Sequence, residues 1–527
     1  MKGLIRENRF ATWAYEGQRE NTQRKFAAEV ITEIQTRGVR IEETPFARKG
    51  GAGPAEGAYL EINGMITAVP VRGPYVRRSP YTLGELDGVS YLFRETDPLL
   101  PASLVRLPRF YQQRTTDGIP YWKIALLHGK DCLATSIFQK CIFWETNRRC
   151  KFCGIELSLQ NGKTIAEKSP EQIAEVAHAA HICDGIRHVV LTTGTAAPRR
   201  KEIDLLAACA SAIKKDVGLP VHVQCLPLTH LEELERLKEA GVDTIGLHIE
   251  TFDQEVLRHV APAKASIEFK KYERAWQRSV ELFGANQVSS FLIVGIGETD
   301  KSILMGSELL SDLGVYPFLV PLRPIPGSHM QGEVPPDPKR MKSLCQAVSE
   351  ILRRKGLCAK ACKAGCVRCG ACSPLPAFEE EPAYLVCHPV RTRSELEAAF
   401  KIREEVFVKE QKMFVGSDRD KNDKKSTHLI VMVGDDIVGT VRVFPVGKDG
   451  HWVGGRLAVK KAFRATGAGK VLVKEAVRYV KGKGCKHFTA HIQEKNVPFF
   501  LHLGWKPLGK LEQYCGRPHQ LMEANLD

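Results

Sequence analysis

Two α/β bodies in tandem are predicted for this 527-residue chain, and three observations predict them. Six apolar strand segments alternate with helical ones between residues 131 and 356. A second, separate order of strands and helices fills about 384–527. Between them lies a cysteine-dense stretch that ends in Pro and acidic residues. Alternating strands and helices read as a parallel sheet, here a barrel or partial barrel of six βα units. The chain exceeds one ordinary core, and each part is long enough to bury its own.

Residues 1–130 read as an accessory region. A helix is expected near Thr22–Thr36, where Phe26, Val30, Ile31 and Ile34 recur at helical spacing, and GGAGP at 50–54 marks a loop. AYLEINGMITAV reads as a hairpin turning at Asn63-Gly64. The barrel region, 131–356, has strand candidates at 134–139, 186–193, 220–228, 243–250, 287–295 and 316–325. One helix opens at Ser169-Pro170-Glu171-Gln172, where Ser caps, Pro fits the first turn and Gln completes a capping box. Residues 357–382 are a cysteine-rich linker, and 383–527 form the last domain, with strands at HLIVMVG, IVGTVRVF, WVGGRLAV and HFTAHI.

Composition narrows the function classes. Hydrophobic content of 43% and charged content of 26% are those of a globular protein rather than a disordered one. No apolar run approaches the roughly 20 residues of a membrane span, and MKGLIRENRFATWAYEGQRE has no signal-like apolar core, so a cytoplasmic protein is expected. Sixteen cysteines without a secretory signal point to metal or redox ligands rather than disulfides. The net charge of +15 raises the question of RNA, but the basic residues are spread along the chain.

Cys141, Cys150 and Cys153 follow the first barrel strand, at the end where barrels of this kind place active sites. Three thiolates there suit three irons of a [4Fe–4S] cluster, leaving one iron open. Zinc is the competing reading of Cys150-x2-Cys153 alone. In the last domain, Arg464-Ala465-Thr466-Gly467-Ala468-Gly469 follows a strand and precedes a helix, so backbone N–H groups and small residues can meet a pyrophosphate.

Over roughly 130–330 the sequence resembles the radical S-adenosylmethionine (SAM) superfamily. Phe152, before the third cysteine, matches the aromatic position beside the adenine. Thr193-Gly194-Thr195 stands where the family contacts the methionyl amine, and His248 and Glu250 lie in a segment like the ribose-contacting one of biotin and lipoyl synthases. Ile293, Gly295 and Glu298 match most of the adenine-side pattern, with Phe291 in place of its first glycine. The eight-residue first spacing departs from the commonest motif. The segments around the cysteines and VVLTTGT are more narrowly similar to a radical SAM family encoded beside a nitrilase in bacterial gene clusters that also carry a GNAT protein. That resemblance implies a small nitrogen-containing metabolite as substrate, SAM as co-substrate and an electron donor such as ferredoxin or flavodoxin.

Residues 385–515 resemble GNAT acyltransferases, through the Arg464–Gly469 loop, REEVFVKEQ at 403–411 and the segment from Asn496 to Trp505. The implied cofactor is acetyl-CoA or another acyl-CoA, contacted by Arg464 to Gly469 and Asn496. Phe500 stands where a tyrosine commonly acts as the acid, so Glu494, His502 and Tyr514 are the catalytic candidates. The expected fold is therefore a partial (βα)6 TIM-like radical SAM barrel followed by a GNAT mixed α/β domain. An elongator-type tRNA-modifying enzyme, which has the same domain order, and a metal-dependent sensor or scaffold are the alternatives.

Cys358, Cys362, Cys366, Cys369 and Cys372 offer a second ligand set, for an auxiliary [4Fe–4S] cluster or a structural zinc. Cys183, Cys209, Cys225, Cys345, Cys387, Cys485 and Cys515 read as small core residues, and Cys132 is ambiguous.

Overall fold

A computed structural model describes residues 24–41, 57–228, 230–379, 385–433, 436–447, 449–514 and 516–526. The loop expected at 50–54 and Cys515 lie outside the described residues. Contacts divide the chain into two compact units, Met1–Glu379 and Glu380–Asp527.

Among the described residues the first element of this unit is a helix over 24–37. Val30, Ile31 and Ile34 are buried as expected, but Phe26 is 42% exposed because Ala27 and Ala28 take the inward positions of that turn. Five strands follow: β1 (Gly57–Ile62), β2 (Met65–Pro70), β3 (Tyr81–Leu86), β4 (Val89–Arg94) and β5 (Asp97–Leu104), in antiparallel order β2-β1-β5-β4-β3. The β1–β2 turn is Asn63-Gly64, both at positive φ (48° and 75°), which two-residue hairpins of this twist require.

The barrel sheet contains β6 (Leu126–His128), β7 (Cys132–Phe138), β8 (His188–Thr193), β9 (Val221–Cys225), β10 (Thr244–Leu247), β11 (Val288–Val294) and β12 (Val315–Pro321). Its order is strictly sequential, and β7 to β12 are parallel, matching the six expected strands. The antiparallel edge strand β6 was not legible, because Leu-Leu-His is too short for periodicity. Ser169 accepts from the Gln172 N–H and Gln172 returns the bond, completing the expected capping box. Leu133, Val189, Leu191, Val221 and Val223 join one core with the covering helices. By the two-residue period of a strand, their neighbours Cys132, Ala134, Val190, His222 and Gln224 face the concave side.

Phe110, Tyr121 and Ile124 also belong to the barrel core, so this unit recruits residues ahead of 131. The segment expected as a linker differs too. Leu357, Ala359, Cys362, Val367 and Leu375 are buried in that same core, because their apolar side chains find cover under the strands. Cys209, Cys225 and Cys345 are buried as core residues, whereas Cys183, Cys387 and Cys485 are half-buried.

The second unit has strands β13 (Val386–Pro389), β14 (Thr427–Val433), β15 (Asp436–Val446), β16 (His451–Val459), β17 (His487–Gln493), β18 (Lys506–Tyr514) and β19 (Arg517–Glu523), ordered β13-β14-β15-β16-β17-β19-β18. Every pair is antiparallel except β16–β17. The helix Ala468–Lys481 buries Leu472, Val473, Ala476 and Val480 on this sheet. The helix Arg393–Arg403 widens into a π-turn over Glu404–Glu410, within the REEVFVKEQ segment. No helix among the described residues is long and apolar enough to cross a membrane.

Candidate functional site

The loop after β7 carries Cys141, Cys150 and Cys153. Its eight-residue spacer is folded by its own side chains: the Arg149 guanidinium lies 3.2 Å from the centroid of the Trp144 ring, and its Nη2 donates to the Cys153 carbonyl at 3.1 Å. The Cys141 N–H donates to Glu156 at 2.7 Å, which closes the loop on itself. The three thiols sit within electrostatic reach of one another. Burial, against the charge of Lys264 and helped by Cys153 and Glu250, raises Cys150 to about 12, while burial raises Cys153 to about 11, so a bound metal would have to hold the thiolates. The donor set therefore fits a cluster held by three cysteines. Among the described residues no three His, Cys, Asp or Glu groups close around a single-ion position.

Thr193-Gly194-Thr195 is locked against this loop. The Gly194 N–H donates to the Phe138 carbonyl and the Ile142 N–H to that of Thr195. A Cβ on Gly194 would lie 2.0 Å from the Lys140 carbonyl oxygen, so no larger residue fits. Cys150 shares an apolar wall with Phe152, Ile293, Ile296, Val260 and Leu322.

Glu250, buried and at φ 72°, is ion-paired with the buried Lys264, whose Nζ also donates to the His248 carbonyl at 2.8 Å. This pair lies close enough to Cys150 to act on its thiol. His248 stacks on Phe291, with ring centroids 3.9 Å apart, and its Nδ1 accepts from the Phe291 N–H at 3.2 Å. The proton therefore belongs on Nε2, which is buried without a hydrogen-bond partner. Burial, then the charge of Lys264, hold the ring neutral.

Glu298 is turned onto its own loop. Its carboxylate accepts from the N–H groups of Gly295 (3.0 Å) and Ile296 (2.8 Å) and from Arg340 (2.8 Å), so it shapes the turn that presents Ile293 and Ile296. Lys264, Arg149, Glu156 and Arg340 were missed in the sequence, where single charged residues carry no pattern.

In the second unit, β16 and β17 pair only from His451–Gly454 against His487–Ala490 and then separate. A register shift in the β15–β16 pairing, with Arg456 at φ 54°, adds to the divergence. The resulting cleft is lined by Phe407, Phe414, Leu457, Ile492, Asn496 and Tyr514 among others. Tyr514 stacks on His491 at 5.3 Å. Glu494 and His502 are exposed, and neither is among the cleft-lining residues.

A buried ion network fixes one wall of this cleft. Arg403, fully buried, donates to Asp418 at 2.8 Å and Asp423 at 2.7 Å, and Arg442 donates to Asp423 at 2.7 Å and Asp420 at 2.6 Å. Gly467, at φ 86°, leads into the helix Ala468–Lys481, and no side chain caps that N-terminus. Its first N–H groups therefore point outward without a side-chain acceptor. Arg464 is held by both oxygens of Glu410, at 2.6 and 2.5 Å. The side chains of Ala465 and Thr466 lie outside the described residues.

Comparisons with known proteins follow the same division. Residues 146–309 match the family model of the radical SAM superfamily, and residues 393–505 match that of the acetyltransferase (GNAT) family. The uncharacterized N-acetyltransferase YjcF of Bacillus subtilis (strain 168) is 32% identical over 133 residues, which cover 25% of this chain and 94% of that protein. The bacteriochlorophyllide c C-7(1)-hydroxylase of Chlorobaculum limnaeum is 23% identical over 301 residues, 52% of this chain and 74% of that protein. Biotin synthase of Staphylococcus haemolyticus (strain JCSC1435) is 28% identical over 198 residues, 35% of this chain and 55% of that protein.

Proposed function

Because residues 146–309 belong to the radical SAM superfamily and residues 393–505 to the GNAT acetyltransferase family, we infer that the chain is a bifunctional enzyme joining SAM-dependent radical chemistry on a small nitrogen-containing metabolite to acyl-CoA-dependent N-acyl transfer. The observation that carries the first half is the gathering of Cys141, Cys150 and Cys153 beside the Lys264–Glu250 pair and the Phe152–Ile293 wall.

Cys141, Cys150 and Cys153 would hold a [4Fe–4S] cluster, which would supply the one-electron chemistry that splits SAM reductively into methionine and a 5′-deoxyadenosyl radical. The protein's share is binding and exclusion of water. Phe152, Ile293 and Ile296 offer an apolar surface to the adenine, Gly194 lets backbone approach the methionyl end, and Lys264 and Glu250 hold the strand ends in place. The Nε2–H of His248 presents a donor from the concave face. The metabolite reading is supported by relatives named for small molecules, biotin and a bacteriochlorophyllide, and by the sequence likeness to the nitrilase-linked family. A small redox protein such as ferredoxin or flavodoxin is the expected electron donor.

In the second unit, the uncapped helix start after Gly467 is suited to the CoA pyrophosphate, and the unpaired edges of β16 and β17 to the arm carrying the thioester. Tyr514, on the cleft, is the group we assign to protonate the departing thiolate.

The test is anaerobic reconstitution with iron and sulfide, followed by dithionite and SAM. Release of 5′-deoxyadenosine, or of its adduct with substrate, is expected from the wild type and not from the Cys141→Ala/Cys150→Ala/Cys153→Ala variant. Equal cleavage by that variant removes the radical assignment.

A further inference from the structure

The cysteines of 357–379 do not form one set. Cys358 lies at the buried pair of Tyr316 and Glu379, and its backbone is bonded to Asn286. The Cys362 thiol is turned onto the Ala364 carbonyl at 3.1 Å. Cys366 and Cys372 instead both lie within electrostatic range of Cys369, and Cys369 and Cys372 meet a residue remote in sequence, His128 at the end of β6. The His128 Nδ1 is 3.2 Å from the Cys369 sulfur, and its Nε2 is 3.3 Å from that of Cys372.

Either separation alone is close to what a sulfur and a ring nitrogen span on one metal atom, and only one of the two nitrogens can be the ligand. With metal–sulfur and metal–nitrogen bonds of about 2.3 and 2.0 Å, tetrahedral angles put S and N about 3.5 Å apart. The surroundings are built for close approach. Gly129, at φ 66°, would place a Cβ 2.7 Å from the Cys369 sulfur, and Gly365 would place one 2.6 Å from the His222 ring. Gln224 donates to the Cys366 sulfur at 3.2 Å, the kind of outer hydrogen bond that orients a thiolate ligand. The Ala371 carbonyl, one residue before Cys372, is fastened by the Ala68 N–H and the Gln35 amide. Cys369 packs on Cys132, Ala134 and Val190, which face the concave side of the barrel.

The segment also contacts the strand beginnings. The Gly365 N–H donates to His188, and Thr244 donates to the Ala364 carbonyl. Cys141 follows the opposite end of β7. Seven residues at about 3.3 Å each put roughly 20 Å of strand between the two places.

We propose that Cys366, Cys369, Cys372 and His128 bind a second metal centre at the N-terminal end of the barrel, an iron–sulfur cluster that takes three thiolates and an imidazole. Cys358 and Cys362 stay outside it.

The test uses the full chain carrying Cys141→Ala/Cys150→Ala/Cys153→Ala, so that failure of the radical site cannot be confused with failure of this one. Metal and inorganic sulfide are measured per chain after reconstitution with iron and sulfide, or with zinc alone. Retained metal is expected, and it should be removed by a chelator at least about tenfold more readily after Cys369→Ala or His128→Phe. Cys358→Ala and Cys362→Ala should leave it in place. Iron with sulfide identifies the cluster, and zinc without sulfide overturns it. His128→Cys, which keeps a ligand, should retain metal where His128→Phe loses it, with circular dichroism reporting the fold of both. No metal in the background variant, or retention in a folded His128→Phe protein, overturns the proposal.

Discussion

Lys264 and Glu250 form a buried ion pair in the barrel, and the same ammonium donates to the backbone carbonyl of His248. Side-chain exposures of 13% and 7% mean that removing either partner strands a charge in low dielectric. Lys264→Met or Glu250→Leu alone should therefore destabilise the first unit by about 3–5 kcal/mol, and the double variant by less than either single one. Denaturant unfolding of the four proteins measures this, and additive losses would show that the two charges are not coupled.

Gly194→Ala probes the turn we propose to face SAM. The added Cβ meets backbone at 2.0 Å, so the turn must move away from Lys140. SAM affinity should drop at least about tenfold, roughly 1.4 kcal/mol, while the circular dichroism stays that of the wild type. Unchanged affinity would detach this turn from the SAM site.

Gly469→Val tests the loop we propose to bind acyl-CoA. A Cβ at Gly469 meets only Phe499 and Val459, at 3.8 and 4.0 Å, so the variant should fold, yet its side chain crowds the uncapped helix start. Calorimetry should register acetyl-CoA binding weakened by at least about tenfold. Equal affinity in a folded variant would remove the loop from the CoA site.

Acid should unfold the second unit through Asp423. Burial raises its pKa, but hydrogen bonds from Arg403 and Arg442, and the Arg403 charge, outweigh this and hold it well below the usual carboxylate range. A carboxyl group depressed in the folded state stabilises above its unfolded pKa, near 4, and that contribution is lost as pH falls towards the folded value. Stability should decline steadily below about pH 4, and Asp423→Asn should be less stable at pH 7 but flatter with pH. A wild type whose stability is unchanged between pH 5 and 3 contradicts this.

The net charge of +15 invites a test with tRNA. Binding should be weak and salt-sensitive, with Kd on the order of 10⁻⁴–10⁻⁶ M at physiological salt. Tight binding, or acetyl-CoA hydrolysis stimulated by tRNA, would favour the elongator-type reading over a metabolite enzyme.

Local sequence determined what depends on neighbours in the chain. Apolar segments alternating with helical ones specified the six parallel strands, Ser169 and Gln172 a helix start, and Asn63-Gly64 a hairpin. Tertiary structure alone decided which charged and sulfur groups meet. Lys264 finds Glu250 across 14 residues, and Cys369 finds His128 across 241. Arg149 folds a spacer whose length departs from the common motif, and Glu298 is spent on its own turn. The physical reason is that hydrophobic period and capping act over one or two turns of chain, whereas ion pairs and metal ligation depend on distance in space, which is set only once the sheet has curled and its concave side is filled.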